Sequence, residues 1–488
     1  MRLHSPSPIR SPTYFKKVHL ESGYHGLIWS FLFLINLLIT FIACYYIIDE
    51  SIGFKTALNL FSLGKQNYND ALNLNPDFYQ SIIMMKKSIK LAILATFTSN
   101  IAHLLYAFIF PKFYIQFYLI ISLILSLIPA IILFIPQTSL LTSDYSMWGA
   151  IFALISAGIG ILIFFIYQKY VGTSAELMKT SVRILAKHPS LIIVDIIQSI
   201  LLLFITLIYS IIITILKFYS SEKEYSISIY AYGIFSYYWI LMTVYYTCYM
   251  TTAGVIGFEC YLGNSNSIPS NLVFLSFKRS ITKNFGCAAF AGFILAVIQT
   301  LNFVVEYLNP EKRREKKKSN ENDDDDDDKK DNAALLLIMT ILYHLFKFIL
   351  SILESYFSYI SRQALIYCAV YGCSYKEGCR RYHQNGFYDK MHKLQHESII
   401  SGATGTNYLL FMLLAGFIVY NLQMTAYNDA AIASLTVFLT EVFMLVFTFS
   451  NSLVSNASDT IFLCYLENPS AINLNHHNLY KRIAGKQY

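Results

Sequence analysis

Charge is what this chain has least of. Of 488 residues only 14% are Asp, Glu, Lys or Arg, against about 25% in a soluble globular protein. That leaves too little polar surface to cover the roughly three soluble domains this length would suggest. Soluble enzyme, disordered scaffold and secreted disulfide module are all excluded on this ground. Paired cysteines are missing too: the eight cysteines sit mostly inside or beside apolar runs, with no extracellular disulfide framework and no CxxC pair for zinc. Catalytic signatures are equally absent. There is no GxSxG elbow, no Walker A loop, no dinucleotide fingerprint and no HExxH helix. Neither an enzyme, a cofactor nor a nucleic-acid partner is expected. A cleavable signal is not read either, because the first apolar run is too long for one and lacks a small-residue cleavage site.

What the chain has is apolar length. Hydrophobic residues make up 55% and aromatics 16%, with a mean hydropathy of +0.47. A helix crossing a hydrocarbon core needs about 20 apolar residues. Ten such runs occur, at 26–48, 91–110, 113–135, 148–167, 191–216, 227–250, 284–305, 333–357, 407–424 and 431–455. Pro111 and Lys112 alone separate the second from the third, which reads as a tight hairpin. The expected fold is therefore an all-α polytopic membrane protein. Residues 1–25 form its N-terminal tail, 26–455 its ten-span domain and 456–488 its C-terminal tail.

An even span count puts both termini on one side, and Lys and Arg choose it. With the termini cytosolic, 21 basic residues fall inside; the outside loops carry 7 once 308–332 is set apart. That loop carries 8 bases and an Asp323–Asp328 run, and is read as an exterior, solvated, disordered insertion. Two cytosolic segments, 171–190 and 361–400, read as amphipathic interfacial helices that bring membrane lipids in as partners.

Candidate site residues are of three kinds. Phe235, Trp239, Met242, Tyr246 and Tyr249 share one helical face in the sixth span, with Tyr238 and Tyr245 beside it. Stacked aromatic faces suit a quaternary ammonium, which gains from cation–π contact; with 75 Tyr and Phe in the chain, the stripe also fits ordinary packing. Ionisable groups at bilayer depth are costly and face a bundle interior or water. His103, Asp195, His344, Lys347, Glu354 and Glu441 qualify, with His103, Glu354 and Glu441 the candidates for coupling; Lys347 can pair with Glu354, seven residues on along one face, or snorkel. The third kind, the histidines His383, His392 and His396, lack a Cys or carboxylate at ligand spacing, so no metal is expected. Small-residue ladders at Gly149, Ala153 and Ala157, and at Gly286, Ala288, Ala289, Ala291 and Gly292, read as close helix packing.

Ordered motifs then suggest a family. Ser174–Lys187 (SAELMKTSVRILAK) precedes a span. Phe235-Ser-Tyr-Tyr-Trp239 and Thr252-Ala-Gly-Val-Ile-Gly257 follow, then Leu275-Ser-Phe-Lys-Arg-Ser-Ile-Thr-Lys-Asn-Phe-Gly286 and Leu295-Ala-Val-Ile-Gln299. Val370-Tyr-Gly372 and Asp459-Thr-Ile-Phe-Leu-Cys-Tyr-Leu-Glu467 complete the set. In this order the chain resembles the choline transporter-like family, especially its fungal branch, the pH-nine-sensitive proteins. The resemblance implies ten spans, cytosolic termini, a plasma-membrane or organelle location, and carrier-type movement of choline or a related solute. Three features depart from the pattern. No cysteine-bearing exterior loop is present at 49–90. The Asn-Arg-x-Ala-Tyr pattern appears as Ser361-Arg-Gln-Ala-Leu365, and the Glu-Asp after FLC as Glu467-Asn468. The expected function is alternating-access transport of a small organic cation; the alternative is a non-transporting membrane protein that organises lipids or partner proteins.

Overall fold

The computed structural model describes residues 23–50, 105–133, 145–219, 227–263, 269–309, 329–384, 386, 393–405 and 452–484. All regular structure among them is helical: α1 (Leu27–Glu50), α2 (Pro111–Leu133), α3 (Tyr145–Gln168), α4 (Val171–Lys187), α5 (Ser190–Tyr219), α6 (Ile227–Leu262), α7 (Leu272–Ile281), α8 (Phe285–Tyr307), α9 (Lys329–Tyr371), α10 (Tyr375–Gln384), α11 (393–405), α12 (Ser452–Glu467), α13 (Pro469–Asn475) and α14 (His477–Ala484).

Five of these helices are long and apolar enough to cross a membrane, through Leu27–Tyr45, Pro111–Ile128, Ser228–Leu262, Phe285–Tyr307 and Met339–Tyr371. A sixth arises if Ala153–Gln168 and Val171–Lys187, bent by 66°, make one broken span. Their outer faces carry exposed Phe165, Leu162 and Phe41, side chains that only lipid can cover at such density. The chain is thus a helical membrane protein. Ten spans are not reached: most of 91–110 and 431–455 and all of 407–424 lie outside the described residues, and in α5 the apolar stretch Ser190–Thr206 falls short of a span.

At the centre of the bundle runs α6. Its spanning window is 78% buried, against 39% for α8 and 17% for α1 and α2. It packs on α8 most extensively, and on α5, α7, α9 and α12 besides. Small residues permit the approach. Gly292 of α8 leaves no space for a Cβ beside Thr243 of α6, and Gly286 lies against the Gly26 backbone at the start of α1. Buried hydroxyls on α6 are satisfied within the helix, Thr243, Thr247 and Thr251 donating to the carbonyls four residues back at 2.7–2.9 Å. The helix continues past its expected end at 250 because Thr251–Gly257 is small enough to pack: Gly257 abuts Val370 of α9.

Both amphipathic segments require correction. Helix α4 does not lie free on an interface: eleven of its seventeen residues are buried, among them Ser174 and Ser181, packed against α12, α2 and α14. Its polar positions face protein as well as water, since the Ser181 hydroxyl meets Ser458 Oγ at 2.9 Å. Within 361–400, Ser361–Tyr371 is the buried end of α9, and α11 is buried at Lys393, His396, Glu397, Ile399 and Ile400. Helical periodicity showed that these segments have an apolar face; it could not show that the face is covered by protein. Helix α9 also begins earlier than expected, at Lys329, inside the segment read as a disordered insertion. Beyond 455 the chain forms α12, α13 and α14, with Ile472, Leu479 and Ile483 buried.

Candidate functional site

Three polar positions on α8, namely Gln299, Asn302 and Glu306, follow helical steps of three and four and so share one face. That face meets α9. Gln299 Nε2–H donates to Glu354 Oε1 at 2.6 Å, and Asn302 Nδ2–H to Glu354 Oε2 at 3.3 Å. Glu354 lies near the midpoint of the Met339–Tyr371 span and is half-buried. Among the described residues no Lys or Arg comes within ion-pair distance of it. Tyr238 of α6 lies within its electrostatic reach. The arrangement is a carboxylate at bilayer depth, held by two neutral amides and within electrostatic reach of a tyrosine.

Of the two readings for Lys347, pairing with Glu354 is not what the structure shows. Lys347 Nζ pairs with Glu306 Oε2 at 2.8 Å, which also accepts from Tyr343 OH at 2.6 Å. Two helical turns separate Lys347 from Glu354 on one helix, whereas Glu306 stands opposite on α8, one step from the lipid-facing edge.

The aromatic stripe divides into two groups. Trp239 and Phe235 pack with Phe33 of α1 and Phe293 of α8, ring centroids 5.3–5.8 Å apart. The Trp239 indole N–H donates to Ala289 O at 2.9 Å. Tyr246 and Tyr249 belong instead to the main core at the other end of α6 and are 1% exposed. Tyr238, beside the stripe, is the aromatic candidate within electrostatic reach of Glu354. Asp195 is buried on α5 near Cys248, and His344 is exposed on α9 beside Tyr343. His103, Glu441 and His392 lie outside the described residues.

A second polar centre surrounds Arg362, which the sequence reading noted only as a motif departure. Arg362 Nη2 pairs with Glu397 Oε1 of α11 at 2.9 Å, and Nη1 stands 4.0 Å from Asp459 Oδ2 of α12. Glu397 Oε2 accepts from Gln363 at 3.5 Å, and Lys393 Nζ donates to Gln363 Oε1. Tyr359 and Tyr382 close the cluster with hydroxyls 2.7 Å apart. Burial, and then the neighbouring Glu397 charge, push the Asp459 carboxyl up to about 8; burial likewise holds Lys393 below its ordinary value. Two acids against two bases make the set internally balanced, so it ties α9, α11 and α12 together without needing a further ion. Helical periodicity cannot find such a cluster, because its members come from three separate elements.

The motifs that carried the resemblance converge on this same end. Arg279 donates to Ala369 O at 2.8 Å and to Cys368 O at 3.1 Å, and Asn284 donates to Cys368 O at 3.2 Å. Tyr367 OH donates to Glu467 Oε1 at 2.6 Å, and the Tyr261 and Tyr371 hydroxyls stand 2.5 Å apart. Ser174 meets His396 Nδ1 at 2.7 Å.

A family model described as plasma-membrane choline transporter matches residues 151–470, about two-thirds of the chain. The chain belongs to that family. The match takes in α4 to α12 whole, and so both Glu354 and the Arg362 cluster. A CTL-like protein of Dictyostelium discoideum is 23% identical over 358 residues, covering 69% of this chain and 57% of the relative. The chain thus spans little more than half the length of that curated relative.

Proposed function

We propose that this chain is a carrier, not an enzyme, and that it moves a small organic cation of the choline type by alternating access. We further propose that it is a ten-span member of the fungal pH-nine-sensitive branch in the plasma membrane, with both termini cytosolic. The observation that carries the substrate class is Glu354. A carboxylate at bilayer depth is costly unless its charge is compensated, and two amides supply hydrogen bonds without supplying charge. A monovalent cation fits that need. A quaternary ammonium cannot donate hydrogen bonds, so it would take its attraction from the carboxylate field and from the Tyr238 ring, where a desolvated cation–π contact contributes about 2 kcal/mol, or roughly thirtyfold in affinity. In this reading Phe235 and Trp239 form the wall behind Tyr238, Tyr246 and Tyr249 hold α6 in the core beyond the site, and His103 and Glu441 serve coupling.

Uptake of radiolabelled choline by purified protein in liposomes, against a panel of primary amines and zwitterions, tests the reading. Glu354→Gln keeps the shape and most hydrogen bonds while removing the charge. Uptake should fall at least about tenfold at equal reconstitution, since 1.4 kcal/mol already gives that factor. Tyr238→Phe should transport nearly as well as the parent, and Tyr238→Leu far worse. Unchanged uptake in Glu354→Gln places the cation elsewhere.

A further inference from the structure

Four of the eight free cysteines gather where α9 turns into α10, and the transport reading uses none of them. The Cys287 and Cys373 thiols lie near enough to act on the Cys368 thiol, and Cys379 lies within electrostatic reach of Cys373. The geometry follows from how α9 ends. Gly372, at φ +64°, takes the left-handed conformation that closes a helix, and its N–H bonds to Cys368 O at 3.1 Å. A helix end of this kind brings the side chain one residue beyond the glycine against the side chain four before it. Here both are cysteines. The turn is held further by Arg279 and Asn284, which donate to that same Cys368 carbonyl. The two side chains therefore lie next to each other across the Gly372 turn.

The two thiols differ in character. Cys368 is buried and Cys373 half-buried. The Cys368 contact and the Arg381 guanidinium hold the Cys373 thiol below its ordinary value, against burial and the Glu377 carboxylate. Arg381 is fixed by Glu377 Oε1 at 3.1 Å and lies 5.9 Å over the Tyr371 ring. A half-buried thiol in the field of a cation, with a second thiol beside it, is the arrangement in which oxidation is selective.

We propose that Cys373 and Cys368 form a peroxide-oxidisable pair, Cys373 reacting first and Cys368 resolving it into a disulfide across the Gly372 turn. In the first step the Cys373 thiolate attacks one peroxide oxygen. An S–O bond forms, the O–O bond breaks, and the leaving hydroxide takes a proton to become water. In the second step the Cys368 sulfur attacks the Cys373 sulfenic sulfur, forming the S–S bond and expelling hydroxide, which takes the Cys368 proton. Two thiols are oxidised by two electrons and one hydroperoxide is reduced to two waters, or to water and an alcohol.

The test uses the full chain in detergent micelles, treated with hydrogen peroxide, trapped with N-ethylmaleimide and digested with trypsin. Both cysteines fall in the peptide Gln363–Lys376. Oxidation should leave that peptide two hydrogens lighter and free of maleimide, and dithiothreitol should reverse the change. Cys373→Ser should abolish it and Cys379→Ala should leave it intact. Cys368→Ser should instead accumulate a sulfenic acid on Cys373 that dimedone captures. Elution of each variant at the parent's size-exclusion volume establishes folding, and the parent measurement stands without any variant. The proposal fails if the peptide still carries two maleimides after oxidation, or if the bridge runs to the peptide holding Cys287.

Discussion

Arg279 shows how one side chain can hold a corner together. It is 4% exposed, and its guanidinium reaches two carbonyls of the last turn of α9, Cys368 O and Ala369 O. Cys368 O also accepts from Gly372 N–H and Asn284, whereas Ala369 O is a carbonyl of the kind a helix end leaves without an intrahelical partner. Removing the donor strands Ala369 O in a buried place, at about 1–3 kcal/mol. Arg279→Met should therefore lower the melting temperature of the purified protein by several degrees. Arg279→Lys, a point charge that cannot span both oxygens in one plane, should recover only part of the loss. A melting curve like the parent's for Arg279→Met would show that water replaces the guanidinium freely. His476 gives a pH-dependent counterpart. Burial is the main influence and depresses its pKa; Glu259 favours the charged ring, while Arg183 and Lys187 oppose it. A base with a depressed folded value binds fewer protons folded than unfolded. Its stabilising contribution is therefore present above about pH 6.5 and erodes as pH falls through that value toward the folded one. The melting temperature should drop between about pH 7.5 and about pH 5.5, and His476→Gln should flatten that part of the drop. An identical slope in the variant would assign the acid sensitivity to other groups.

At the scale of helices, close approach matters more than any single bond. Gly286 begins α8 where Gly26, at φ +71°, begins α1, and a Cβ at 286 would overlap the Gly26 and His25 carbonyls. Backbone cannot yield as a flexible side chain can. Gly286→Ala should cost about 1–3 kcal/mol, the usual range for overpacking, and should loosen α1 without breaking the α6–α8 contact. Proteolysis near residue 25 at equal expression would report it; unaltered cleavage would mean that α1 simply shifts. The small-residue ladder that marks this contact was readable from the sequence, because helical spacing of Gly and Ala has few other uses in lipid. The apolar lengths of α1, α2, α6, α8 and α9 were readable for the same kind of reason: hydrocarbon imposes a fixed length. What covers a face was not. The periodicity of α4 is the same whether its apolar side meets lipid or meets α12, so a buried helix was read as an interfacial one. Nor could spacing reveal the partner of Glu354. Position along one helix suggested Lys347, but the partners came from Gln299 and Asn302 on another, and tertiary neighbours leave no mark on local periodicity.

Across the whole molecule, the charge distribution makes the last prediction. Basic residues are retained on the cytosolic side of a membrane during insertion, and this chain divides them 21 to 7 once 308–332 is set apart. The division holds only if both termini and the 168–190, 263–283 and 361–404 segments face the same way. The structure adds a physical reason for three of these to agree: α4 packs against α14, and its Ser174 hydroxyl meets His396 Nδ1 of α11 at 2.7 Å. Segments in contact outside the spans occupy one side of the bilayer. Single cysteines at Ser5→Cys, Ser221→Cys and Ala484→Cys, labelled with an impermeant maleimide in sealed vesicles of known orientation, convert this into a measurement. Positions 5 and 484 should gain label over the parent only from the cytosolic face, and position 221 only from the opposite one. Label at 5 and 484 from opposite faces would require an odd number of spans. Because α14 is packed against α4, and through it against the α12 end of the bundle, the error would then have to lie among the spans before α3.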